Sequence, residues 1–186
     1  MESNSIPCNF EKMKKSISLL ILLIVISSFN VSKGIQALID EEVKAIFKIE
    51  TFTKQTVAIS NEINKIVPLK ITERNFFKIT SQDTFLGYYY LGHAYGKADY
   101  FDFIVIFDKH LIVSKVKILV YRESHGGEVG SRRWLKQFIG KSTTMDLKYQ
   151  KDIAAISGAT ISARSMTNEV NKLFKTIDIL NTKKQL

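Results

Sequence analysis

The sequence predicts an α+β fold, a small antiparallel sheet flanked by helices in a single domain, and three observations carry that prediction. Residues 84–121 are dominated by β-branched and aromatic side chains, in "TFLGYYYLGHAYGK", "YFDFIVIFD" and "LIVSKVKILVYRE". Breaks at "GKAD" and "DKH" divide that stretch into three strands, close enough in sequence to pair antiparallel. Further on, Met166, Val170, Leu173, Phe174 and Ile177 fall at i, i+4, i+7, i+8 and i+11, the single apolar stripe of a helix.

Taken in order, the chain opens with a positive flank, "KMKK", ahead of a short apolar run, "SISLLILLIVISSF". That order is the grammar of export, and the run is shorter than the ~20 apolar residues of a spanning helix. Residues 1–34 are therefore expected to be a signal peptide, cut after Gly34 with Ser32 and Gly34 at the small-residue positions, or an uncleaved signal anchor. Met13 offers an alternative start that would leave residues 1–12 outside the protein.

Residues 35–83 are expected to form an N-terminal helical segment, with Asp40 as N-cap and Leu38, Val43, Ile46 and Phe47 on one face. The β-rich "IETFT" divides it into two helices, and Pro68 ends the second. Residues 84–186 make the α+β domain, in which one sheet face packs on helices and the other meets solvent. Asp108, Lys109 and His110 supply the tight connection between the second and third strands. A glycine-rich loop and a short aromatic helix follow, and Trp134 and Phe138, four apart, are read as core residues rather than ring stackers.

Composition narrows the function. With 186 residues, 45% of them hydrophobic and 24% charged, the chain is one ordinary globular domain. The net charge of +9 is spread from Lys12 to Lys184 with no basic stripe carrying interleaved aromatics, which argues against nucleic acid and leaves a basic surface able to meet anionic partners or lipid headgroups. Cys8 precedes the apolar run and is the only cysteine, so the exported part has no disulfide, cysteine-ligated zinc, iron–sulfur cluster or thioether haem. His93, His110 and His125 are too dispersed to suggest a metal site. No nicotinamide fingerprint, paired acids or nucleophile with its base is present, so no catalytic residue is assigned.

What remains is "AAISGATISARSM", where Ser157, Thr160, Ser162 and Ser165 surround Gly158 and Ala159 just before the apolar-striped helix. Two readings compete. The hydroxyls cap the helix's free N–H groups, or the small-residue turn and helix N-terminus form a phosphate site at which a Thr oxygen carries the phosphate covalently.

The ordered set Glu123 to Glu128, Gln137-Phe138-Ile139-Gly140-Lys141 and Ser157 to Ser162 resembles the FMN-binding domain family, over roughly Gly87 to Phe174. Members include extracytoplasmic flavin subunits of the sodium-pumping NADH:quinone reductase and of Rnf complexes, and small stand-alone exported proteins. In them the loop reads E-T-P-G-L-G and the later motif [ST]-G-A-T-x-[ST]. The resemblance implies FMN held by a phosphoester on Thr160. Gly158 and Ala159 leave room for the phosphate, with Ser157 and Ser162 beside it. Glu123 is expected to fix the loop, and Gly126 and Gly127, both free to take positive φ, to bring amides to the flavin ring.

It further implies an exported or periplasmic, membrane-associated electron carrier, matured by a flavin transferase and exchanging electrons with membrane or exported redox proteins. A small flavin reductase and a cofactor-free interaction module are the alternatives. One position departs: relatives carry Asp six residues before the modified Thr, where this chain has Ala154. Asp152, two residues earlier and on the same face of an extended segment, about 7 Å away, is the expected substitute.

Overall fold

The computed structural model describes residues 34–186; the charged flank and apolar run expected to direct export lie outside them. Helix α1 occupies 34–47. Asp40 is not its N-cap, because the helix is already running six residues earlier; its Oδ1 instead accepts a 2.7 Å bond from Gln36 Nε2, four residues back. No helix among the described residues is long and apolar enough to cross a membrane. The chain divides at Asp40 and Glu41 into two compact units, and the second, Glu41–Leu186, contains the sheet.

That sheet has five antiparallel strands in sequential order: β1 (Thr53–Thr56), β2 (Phe76–Ser81), β3 (Thr84–Tyr95), β4 (Tyr100–Asp108) and β5 (Val113–Val120). Helices α2 (Asn61–Ile66), α3 (Arg132–Leu135) and α4 (Thr160–Thr182) complete the α+β fold. The expectation of a wholly helical 35–83 is corrected, since this stretch supplies two strands and the domain begins well before residue 84. Thr53 of β1 sits opposite Thr80 of β2, with their hydroxyls 2.6 Å apart. A four-residue polar strand, Thr-Lys-Gln-Thr, pairs because a distant partner strand is offered, and pairing of that kind leaves no local periodicity to read.

A second expectation, that one sheet face meets solvent, fails in β4. Phe101, Phe103, Val105 and Phe107 join Tyr88 and Tyr90 of β3 and the α4 stripe in one core. Ile104 and Ile106, which point to the opposite face, are also fully buried. "YFDFIVIFD" is thus a strand covered on both sides, which explains why it reads as a continuous apolar run. Near β5, Glu42 of α1 bonds Lys117 Nζ at 2.6 Å and Lys115 Nζ at 3.1 Å. Burial raises the carboxyl's pKa, but the bonds from Lys117 and Lys115 outweigh it and hold the group below its usual range.

The connection from β4 to β5 is as expected, with Asp108 Oδ1 accepting from His110 N and Ile112 N, both at 2.9 Å. All five residues of the α4 stripe, Met166, Val170, Leu173, Phe174 and Ile177, are completely buried, and Phe174 meets Phe107 edge-on at 6.2 Å. This packing fixes where the first turn of α4 emerges.

Candidate functional site

β5 ends at Val120, and the chain turns through Tyr121 to Gly126, which adopts φ 79° and ψ 15°. A single 3-10 turn, Gly127–Gly130, then buries Val129 and leads into α3, whose N-cap Ser131 accepts from Trp134 N at 3.4 Å. Only Gly126 is left-handed. The expectation of positive φ at Gly127 is corrected: this residue opens the 3-10 turn, and a Cβ added there would meet Tyr121 Cε1 at an ordinary 3.9 Å.

Trp134 and Phe138 are buried against each other, 5.3 Å apart and edge-on, consistent with a core role. Trp134 has a second task. Its Nε1 donates to the carbonyl of Ala154 at 2.7 Å, while Gln137 Oε1 accepts from the Ala154 N–H at 2.8 Å. Both backbone groups of one residue are therefore held by side chains of the aromatic segment, which pins the strand of chain that enters the hydroxyl cluster. Asp152 is not on an extended segment with Ala154. Residues 150–152 form a turn, and its Oδ2 accepts from Lys148 N at 2.8 Å.

The first reading of the hydroxyl cluster, side-chain capping of the helix, is not seen at α4. The N-cap is Ala159, at φ −124° and ψ 27°, and no side chain caps this 23-residue helix. Its first N–H groups have no carbonyl within the helix to bond, and the macrodipole adds positive potential there. Thr160, the first helical residue, is exposed, as are Ser157 and Gly158. The Thr160 hydroxyl makes only a long 3.4 Å bond to Ile156 O. Gly158 has φ +82°, and a Cβ placed there would meet nothing within 4 Å, so the turn two residues before Thr160 is open. Two hydroxyls are used elsewhere: Ser165 Oγ accepts from Tyr95 N at 3.0 Å, and Ser162 is buried.

The glycine turn and this cluster, about 30 residues apart in sequence, meet in space. Ala159 is buried, and its Cα and Cβ lie 3.6 Å from where a Cβ on Gly126 would sit. Glu123 behaves differently from expectation. Its Oε1 accepts from Ala98 N at 3.3 Å and Asp99 N at 3.4 Å, so it steadies the hairpin between β3 and β4 rather than its own loop.

Thr160 also lines a groove of about 580 Å³ with Tyr95, Ile161, Arg164 and Ser165. Tyr95 and Ile161 are 47% and 52% exposed, an aromatic and an aliphatic wall with no cover of their own beside an uncapped helix end. The volume is that of a small-molecule site. A phosphate at Thr160 with a flat aromatic group along this groove fits both the polar and the apolar parts. Sequence reading missed Tyr95; its only signal was the pair of tyrosines flanking the "YGKADY" turn.

Residues 96–175 match the family model of the FMN-binding domain. Over this stretch the chain is similar to the FMN-binding domain. The match runs from the hairpin after β3 into α4 and so includes Glu123, Gly126, Gly127, Ser157, Gly158, Ala159, Thr160 and Ser162. No curated protein matches the chain significantly. The cofactor is FMN, and the uncapped helix end, the open turn at Gly158 and the groove at Thr160 are able to receive it.

Proposed function

We propose that this FMN-binding domain is an exported electron carrier in which Thr160 Oγ1 is esterified to the FMN phosphate. One observation carries the reading: a long helix begins uncapped beside an exposed Thr hydroxyl and an open left-handed glycine. FMN, when bound, supplies the redox chemistry. The chain's own residues orient it, with the first N–H groups of α4 facing the phosphate and Arg164, one turn further along the same face, adding positive charge in the groove. Tyr95 and Ile161 offer the apolar surface against which a flat ring excludes water.

Maturation by an exported flavin transferase, and exchange of electrons with membrane or exported redox proteins, complete the proposal. Expressed with its N-terminal segment in a host that has such a transferase, the protein should retain yellow in-gel fluorescence after denaturation. A colourless band would defeat covalent attachment. Steady-state turnover with a diffusible acceptor would instead favour a flavin reductase.

Two further outcomes follow from the geometry. Ala154→Asp should increase the flavinylated fraction when transferase is limiting, because it restores the acidic position of the family motif on a backbone that Trp134 and Gln137 already hold. Asp152→Ala should leave that fraction unchanged, since its carboxylate is bound to its own turn. Equal labelling of wild type and Ala154→Asp by intact mass would show that this position has no control over modification.

Gly126→Val should lower the flavin midpoint, because a Cβ there is strained by its positive φ and would stand 2.9 Å from Tyr121 Oη. Moving one amide away from a ring that becomes anionic on reduction costs about 1.5–3 kcal/mol, or tens of millivolts for a two-electron couple. Gly127→Ala, by contrast, should leave the midpoint in place. Spectroelectrochemical titration of both variants separates the two glycines.

A further inference from the structure

We propose that Tyr121 is a positioning residue that locks the glycine turn to the first turn of α4; its effect on the flavin rests on the reading of Thr160 above. Tyr121 leaves the end of β5, and its half-buried ring tilts against the core residue Phe101 at 5.6 Å. Its hydroxyl donates to the carbonyl of His125, the residue before Gly126, at 2.7 Å. The same oxygen lies 3.5 Å from Ser162 Oγ. It also fills the place toward which a side chain at position 126 would project, 2.9 Å from that Cβ.

A phenol has one proton. With that proton spent on His125 O, Ser162 must be the donor to Tyr121 Oη, and the hydrogen bonds run in one direction from α4 through the phenol to the turn. Ser162 is 4% exposed, so its hydroxyl faces this relay rather than the surface where Thr160 stands. The resemblance placed Ser162 among the cofactor contacts. The structure assigns it instead to holding the turn that carries Gly126. The left-handed residue and the uncapped helix end are thereby kept in register by a side chain that comes from the end of β5.

Two variants test the lock on the full chain without flavin, by amide hydrogen exchange at Val129 and Ala163, whose N–H groups bond Gly126 O at 3.2 Å and Ala159 O at 2.9 Å. Tyr121→Phe keeps the ring against Phe101 and removes only the hydroxyl, so exchange at Val129 should accelerate about three- to tenfold, the factor expected for one neutral hydrogen bond. Ser162→Ala should accelerate the first turn of α4, and the double variant should exchange no faster than Tyr121→Phe alone, because one relay is lost in either case. Unchanged exchange in Tyr121→Phe, or strictly additive effects, would overturn the lock.

The flavinylated protein supplies a readout that a purely structural tyrosine would not move. Tyr121→Phe should lower the midpoint potential, in the same direction as Gly126→Val. A faster-exchanging turn with an unaltered midpoint would refute the link to the flavin. Absence of flavin from wild-type Thr160 would instead defeat the reading of the site, with the exchange result still deciding the lock.

Discussion

Thr160→Val should remove all denaturation-resistant flavin and leave the fold standing. Valine keeps the β-branched shape and deletes the one oxygen able to form the ester. The deleted group makes a single 3.4 Å bond to Ile156 O on an exposed residue, so the stability cost should stay within about 1 kcal/mol. Position 160 is the first of the helix, where its own N–H has no intrahelical partner, so the backbone loses nothing. The neighbouring hydroxyls are poor substitutes: Ser162 is buried, and Ser157 precedes the Gly158 turn and lies outside the helix. In-gel fluorescence and intact mass of the two proteins, made side by side with the transferase, settle the matter. Full labelling of the valine variant would move the attachment point elsewhere.

The largest stability effect should come from the far half of the same helix. Phe174 is completely buried and meets Phe107 of β4 edge-on. Phe174→Ala leaves a cavity between the helix and the sheet and should cost about 3–5 kcal/mol. Against a total stability of about 5–15 kcal/mol, that is a large fraction, visible as a fall in the urea midpoint and in Tm. The functional consequence is indirect, because the interface that Phe174 fills determines where Thr160 emerges about four turns away. Flavin labelling should therefore fall only as the folded population falls. A loss below about 1 kcal/mol would show that α4 is not seated by this contact.

Much of this molecule could be read along the chain. The α4 stripe was legible because a helix covering one side of a sheet repeats its apolar residues with the helical period, and all five residues named from that period are buried. Strands β3 to β5 were legible from β-branched and aromatic runs broken by turn residues, and Asp108 capped its turn as its type predicts. Strands β1 and β2 were not, because Thr53–Thr56 is a short polar strand stabilised by the partner it finds at Phe76–Ser81. The hydroxyl cluster could be located by sequence, yet the choice between capping and binding a phosphate could not. Capping depends on which side chain reaches the helix end, and none does.

The sequence by itself determined the fold class and the motif holding Thr160, because helical period, strand composition and a tetrapeptide of small and hydroxyl residues are local properties of a chain. Only the tertiary structure decided that Ser162 turns inward to Tyr121, that Glu123 serves the β3–β4 hairpin, that Gly126 rather than Gly127 takes the left-handed turn, and that Trp134 and Gln137 grip Ala154. Each of those outcomes is a hydrogen bond or a close packing contact between residues brought together by the core, or a backbone angle set by it. Its partner is chosen by the geometry of the assembled sheet and helix, which no window of neighbouring residues contains.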